Sequence, residues 1–436
     1  MKENIKIPAV LKERAQKLKA YYEAHYPALA PLAQQCFLNT VETTVKRTED
    51  GDYFVITGDI PAMWLRDSAA QVRLYVRYAP EDEELQKLLE SVIAMQAKLV
   101  CIDPYANAFN ESANGNGGGY EDDTLLNPHV WERKYEVDSL CAPLYLAHNY
   151  WKTTGITRIF NDPFKQMIEE ILHVFTVEQN HARSPYYFRR YHCVKTDTLP
   201  ADGKGRPVNI TGMTWSGFRP SDDCCRFGYM IPSNMMAVTA LRYAEEICNS
   251  CYRDADLAER CAKLAEEIQD GIMDYGIVNH PVYGKIFAYE TDGFGNYNLM
   301  DDANSPSLLA MPYLGYCEKD DLFYQNTRRF VLSKDNPYFY QGNLASGVGS
   351  PHTPEGYVWH IGIVMQALTS SDRDEIMLCL ERLAATHAGT NFMHESFDPD
   401  RPEVFTRPWF AWANTLFAEL LVNLMEEGFW EVNDNV

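Results

Sequence analysis

The chain lacks the features that ordinarily divide a long sequence into independent units. Its 436 residues contain no Pro/Ser-rich linker, no long run of one charge and no low-complexity stretch. The densest loop signals, ESANGNGGGYEDD (111–123) and ADGKGR (201–206), are short and flanked by strongly patterned sequence. A single domain over 1–436 is expected. Disulfides are excluded as a scaffold. Eleven cysteines is an odd number, and the lone C-x-x-C, Cys248–Cys251, sits in a helical pattern with no second Cys or His pair at zinc spacing. Reduced thiols suit the cytoplasm, which is the expected location. The N-terminal MKENIKIPAVLKERAQKLKAYY scatters its charges and has no uninterrupted apolar core, so no signal peptide is read there. The longest apolar stretch, 409–425, is broken by Asn414, Thr415, Glu419 and Asn423, and no membrane span is expected.

Positive charge is scarce too. Lys and Arg number 39 against 61 Asp and Glu, a net charge of −22. Phosphate backbones are bound through clustered cations, so a nucleic-acid partner is excluded, and anionic membranes and acidic polysaccharides are disfavoured. A neutral substrate is compatible with this balance. Several catalytic signatures are absent as well. There is no H-E-x-x-H and no G-x-S-x-G. The Gly-rich GNGGGY is followed by EDD instead of Lys-Ser/Thr, which removes a phosphate cradle. The acidic pairs Asp222–Asp223 and Asp301–Asp302 do not form a calcium loop. Neither a metal nor a cofactor is expected.

What is present is helical periodicity. Amphipathic runs cover 10–23, 31–44, 82–99, 137–152, 164–175, 235–247, 257–273, 307–316, 357–368, 373–385 and 409–425. Strand-like pieces at 53–56 and 282–289 are short and read as hairpins in loops, not as a central sheet. The helices fall into antiparallel pairs with short turns, and the last run would pair with an N-terminal helix to close a ring. Six pairs make an all-α (α/α)6 barrel with inserted loops and short hairpins, and no repeat at the sequence level accompanies it. A composition of 46% apolar and 13% aromatic residues supplies the core that such a barrel needs.

Six polar, aromatic-rich clusters stand at the start of the first helix of each pair. They are MWLRDS (63–68), WERKYEVDS (131–139), WSGFRPSDDCCR (215–226), DDANSP (301–306), SPHTPEGYVWH (350–360) and TRPWFAW (406–412). In a ring of hairpins these starts meet at one mouth. Capping accounts for some of the Ser, Asp, Asn and Pro, but not for the Trp, Arg and His beside them. Glycosidic cleavage needs a carboxylic acid to protonate the leaving oxygen and a carboxylate to activate water or attack the sugar. Asp222 and Asp223 supply adjacent acids, either of which could hold a raised pKa, and Glu395 in MHESFDPD supplies a second carboxylate. Taken alone, each is equally at home as a cap or a loop acid. Trp64, Trp131, Trp215, Trp359, Trp409 and Trp412 lie in or beside the clusters and can face a pyranose or simply fill the core. Arg66 and Asp67 read as a hydroxyl-binding fork or a plain ion pair.

At these residues the chain resembles glycoside hydrolase family 125, the bacterial and fungal exo-α-1,6-mannosidases. The runs TGDIPAMWLRDSAAQV, HVWERKYEVDSLCAPLYLA, GMTWSGFRPSDDCCRFGYMIPSNM, DDANSPSLLAMPYLG, SPHTPEGYVWHIGI, MHESFD and TRPWFAWAN carry the likeness in order along most of the chain. The resemblance implies an (α/α)6 fold and a metal-independent, inverting mechanism. It also implies a mannose-containing oligosaccharide or N-glycan fragment as substrate. By the same likeness the general acid falls on Asp222 and the general base on Glu395, and Trp64, Arg66, Asp67 and Asp138 fall at sugar-binding positions. Asn304 and His352 are looser matches. Two other readings remain: a different toroid hydrolase, of α-glucosidase or glucuronidase type, or a glycan-binding protein without catalysis.

Overall fold

The computed structural model describes residues 6–431, so the first five residues of the N-terminal stretch read above for a leader lie outside it. Twelve helices of nine or more residues build it: α1 (Ala9–His25), α2 (Ala30–Asn39), α3 (Leu65–Arg73), α4 (Glu83–Ile102), α5 (Val137–Thr154), α6 (Asp162–Glu178), α7 (Ile231–Ile247), α8 (Ala255–Tyr275), α9 (Leu322–Val331), α10 (His360–Leu368), α11 (Arg373–Thr386) and α12 (Ala411–Glu426). Helices α3, α5 and α7 pack side by side, α10 packs on α12, and α12 returns to α3. They form the inner ring. Helices α4, α6, α8, α9 and α11 lie outside, and α2 closes the ring against α12 with α1 behind it. This is the expected toroid of six hairpins. No helix among the described residues is long and apolar enough to cross a membrane.

One inner position departs from expectation. Residues 307–316 read as a helix but form consecutive turns. Pro312 has no N–H to offer the carbonyl of Leu308, and the N–H groups of Leu308 and Leu309 go instead to the carboxylate of Asp301 (2.8 and 3.0 Å). Neighbours hold the segment in place: Tyr145 of α5 donates to the Leu314 carbonyl (2.7 Å), and Tyr313 donates to Glu419 of α12 (2.9 Å). Two boundaries also differ. Helix α3 gives way to tight 3-10 turns from Leu74, and α2 widens into a π turn at Thr40–Thr44.

The two rings begin their helices differently. Each of α4, α6, α8, α9 and α11 starts on an Asp or Asn (Asp82, Asn161, Asp254, Asp321, Asp372) whose side chain accepts from first-turn N–H groups. The inner helices α3, α5, α7, α10 and α12 have no side-chain cap. Short strands lead into three of them instead. Met63–Trp64 pairs with Ala108–Phe109, Tyr229–Met230 with Glu290–Thr291, and Val358–Trp359 with Ser396–Asp398. These small antiparallel sheets at the mouth were not legible as such. With only two or three residues per strand they carry no alternating pattern.

Candidate active site

The inner-helix starts surround a pocket enclosing about 360 Å³ of empty space. Of the eight residues singled out from the sequence, Asp222, Glu395, Trp64, Arg66, Asp67, Asn304 and His352 line it. Asp138 does not. It lies behind Arg66, accepting from that guanidinium at 3.0 Å and from Ser233 at 3.3 Å. Among the tryptophans, Trp64, Trp359 and Trp412 reach the pocket. Trp215 is a core residue stacked on His181 with ring centroids 3.5 Å apart, Trp409 bonds Thr43, and Trp131 packs behind Trp64.

The turn after Phe218 separates the two adjacent aspartates. Asp222 takes a left-handed conformation (φ 68°), uncommon outside glycine but tolerated by Asp, while its N–H bonds the Arg219 carbonyl and Arg219 bonds back to the Asp223 carbonyl. Asp222 thereby lines the pocket. Asp223 is buried away from the lining, with Oδ1 3.4 Å from His352 Nδ1. The Asp222 carboxyl accepts at Oδ1 from the Trp64 indole (3.3 Å) and the Asn107 amide (3.1 Å), and Lys134 Nζ grips its backbone carbonyl (2.8 Å).

Behind Asp222 stands Glu136, which the sequence reading passed over although it lies in the quoted WERKYEVDS. It is buried and accepts from Arg66 (2.7 Å), Ser139 (2.8 Å) and Asn107 (3.3 Å). Burial is the largest influence on it and pushes its pKa well up, reinforced by the neighbouring charges of Asp222 and Asp138 and opposed by Arg66. Burial pushes Asp222 up as well. In its case the charges of Lys134 and Arg66 and a hydrogen bond from Glu136 outweigh that, and its pKa is lowered. The two carboxyls are thus set apart, with Glu136 favouring its protonated form and Asp222 its ionised one.

Across the pocket, Glu395 leads into the strand Ser396–Asp398. Two buried histidines shape this segment. His360 Nδ1 accepts from the His394 N–H at 2.9 Å, and the His394 ring stacks on Phe405 with centroids 3.7 Å apart. Burial keeps both imidazoles neutral, pulling His360 down to about 3 and His394 to about 4. Glu395 Oε2 accepts from Thr406 (2.8 Å), and Oε1 lies 3.7 Å from Arg407, whose guanidinium is also paired with Asp59. His352 completes the wall. Desolvation alone would lower it, but the hydrogen bond and charge of Asp223, with the charges of Glu395 and Asp222, raise it to about 9. Asp67, buried and 3.3 Å from Arg66, has a carboxylate oxygen with no hydrogen-bond donor, and Asn304 is anchored through Asp302. Such acceptors and donors suit sugar hydroxyls. Among the described residues no three His, Cys, Asp or Glu side chains are grouped as a metal ion would need.

A pocket lined by indoles and by carboxyls in different electrostatic settings, set in a six-hairpin toroid, defines a glycoside hydrolase. Residues 26–422 match the metal-independent α-mannosidases of family GH125, and the chain belongs to that family: it is an α-mannosidase. It is 47% identical to a metal-independent α-mannosidase of Streptococcus pneumoniae solved in a non-productive complex with α-1,6-mannobiose, with a TM-score of 0.93 over 96% of this chain and 98% of that one. It is 41% identical over 420 residues to the meiotically up-regulated gene 157 protein of Schizosaccharomyces pombe, covering 91% of this chain and 82% of that one. A bacterial glucoamylase complexed with acarbose aligns with a TM-score of 0.57 at 13% identity, over 96% of this chain and 57% of that one, and shares the fold alone.

Proposed function

We propose that the protein hydrolyses terminal, non-reducing α-1,6-linked mannose from a mannose-containing oligosaccharide or N-glycan fragment, with inversion. Asp222 is the general acid and Glu395 the general base. The observation that carries this reading is the unequal setting of the two carboxyls in one pocket: Asp222 is tethered by Trp64 and Asn107, and Glu395 is held by Thr406 and Arg407. When the glycosidic oxygen displaces water from Asp222, the ionised form of Asp222 loses solvation and the proton crosses from Glu136. Asp222 then protonates the leaving oxygen, the C1–O bond breaks, and a water deprotonated by Glu395 attacks the opposite face. The pair recovers its proton from solvent as Glu395 releases one.

Trp64, Arg66, Asp67, Asn304 and His352 hold the terminal sugar, and Asp138 positions Arg66. The pocket is small, about 360 Å³, which supports exo action on the single terminal residue. The S. pneumoniae relative's complex supports the α-1,6 linkage. One catalytic unit over 1–436 fits the buried apolar cluster that runs from Val10 to Phe429. A cytoplasmic, reducing location fits eleven cysteines that are all free thiols. The deciding experiment is the anomeric form of the first mannose released from α-1,6-mannobiose, followed by NMR. β-Mannose is expected; α-mannose as first product would overturn inversion. Turnover of aryl α-glucoside or β-glucuronide in preference to α-mannoside would overturn the sugar assignment. Prolonged EDTA treatment is expected to leave the rate unchanged.

A further inference from the structure

Beyond the sugar pocket lies a larger recess enclosing about 1270 Å³ of empty space, part of it open to solvent. The two are lined by neighbouring residues of the same turns. The turn that sends Asp222 into the sugar pocket sends Cys224–Arg226 into the recess, and Pro351 faces the recess while His352 faces the sugar. Asp222 and the recess-lining Cys224 are thus only two residues apart. Four charged residues line the recess, Lys195, Arg206, Arg219 and Arg226, and all four are cations in a chain where acids outnumber bases 61 to 39. Arg219 is matched by Glu290 at 2.6 Å. Lys195, Arg206 and Arg226 are exposed and have no ion pair among the described residues; Arg226 only overhangs the ring of its neighbour Phe227. Asp197, two residues from Lys195, and Glu290, the partner of Arg219, are both engaged already. Asp197 holds Lys134 (2.5 Å) and Arg190 (3.1 Å), while Glu290 also accepts the N–H groups of Arg226 and Phe227. The local sign of charge thus opposes that of the whole protein.

We propose that this recess is a subsite for an oxyanion, a phosphate or a carboxylate, carried on the aglycone next to the mannose being removed. The inference rests on the α-1,6-mannosidase reading and narrows its substrate to glycans with a charged acceptor side. Three exposed cations facing one anion give together about a tenfold preference for it. The test compares kcat/KM for α-1,6-mannobiose, its reducing-end 1-phosphate and the corresponding aldonate, mannobionate. A gain of about tenfold at low ionic strength is expected for at least one anion, and which anion gains identifies the oxyanion. The gain should collapse in about 0.5 M NaCl and in the exposed-surface triple variant Lys195→Gln, Arg206→Gln, Arg226→Gln. Equal values for all three substrates, or a gain that survives salt or the triple variant, would overturn the subsite. Calorimetric Kd values for the same ligands on Asp222→Asn give the charge ratio without turnover. A failure to cleave the neutral disaccharide would count against the mannosidase reading alone, and the Kd ratio would still decide the subsite.

Discussion

Trp64 donates its indole N–H to Oδ1 of Asp222 at 3.3 Å, and Asn107 reaches the same oxygen at 3.1 Å. The tryptophan is thus a tether for the acid as well as a wall for the sugar. Trp64→Phe keeps an aromatic face and removes the donor. A hydrogen bond to a carboxylate of this kind contributes about 1–2 kcal/mol, so kcat on α-1,6-mannobiose should fall roughly tenfold. An unchanged kcat with a raised KM would instead assign Trp64 to sugar binding alone.

Asp222→Asn and Glu395→Gln should differ in their dependence on the leaving group. Without its acid the enzyme should lose about 10²–10⁴-fold on the disaccharide and far less on an aryl mannoside that needs little protonation. Without its base it should lose both activities, because water attack is common to them. Should Asp223→Asn give the leaving-group signature in place of Asp222→Asn, the acid has been placed one residue early.

The proton held by Glu136 makes a pH prediction. Glu136 is raised, so the wild-type pair keeps its proton toward alkaline pH. In Glu136→Gln that reservoir is gone, and Asp222 alone is held low by Lys134 and Arg66. The basic limb of kcat/KM should move to lower pH while kcat on activated aryl mannosides is far less affected. A basic limb that stays where it is in the wild type would remove Glu136 from the proton path.

His352 should make stability depend on pH. Its folded value of about 9 lies above the roughly 6.5 of a free imidazole, so the folded protein holds a proton that the unfolded chain releases. The resulting stabilisation is full below about 6.5 and is lost as pH rises through 9. The Tm difference between wild type and His352→Asn should therefore narrow between pH 6.5 and 9.5. The effect will be small, because the imidazole is 37% exposed and Asp223 is its one close partner. A difference constant with pH would show that the imidazole is not charged.

Far from the pocket, Asn161→Ala removes the cap that accepts the Phe164 N–H at 3.1 Å at the start of α6. A loss of about 1 kcal/mol in denaturant unfolding is expected, with kcat/KM on mannobiose unaltered. A parallel loss of activity would mean that the outer ring transmits strain to the mouth.

The barrel was legible because long amphipathic helices repeat their pattern over several turns. The single inner position that was misread, 307–316, has the apolar spacing of a helix but loses it to Pro312 and to the pull of Asp301 on two N–H groups. Within the site, the motifs exposed the pocket-lining side chains, since Trp, Arg and His at helix starts have no ordinary capping purpose. Choosing between Asp222 and Asp223 depended on a backbone sign, the positive φ at Asp222, which no residue type announces. Glu136 was missed for a related reason. Its neighbours Arg66, Asn107 and Asp222 come from segments far apart in sequence, and only folding makes its burial and charge visible. Asp138 was placed in the sugar site by its motif, yet its buried carboxylate, on the second residue of α5, serves Arg66 first.

The contrast between capped outer helices and uncapped inner ones has a consequence for how such a protein can change over time. The signals that start α4, α6, α8, α9 and α11 belong to the periphery, so assembly of the barrel draws little on the residues at the mouth. Inner-helix starts are then free to be rewritten for a new sugar without first replacing a structural cap. A scaffold of this kind can diverge in specificity faster than in shape, which accords with a toroid still recognisable in a glucoamylase at 13% identity.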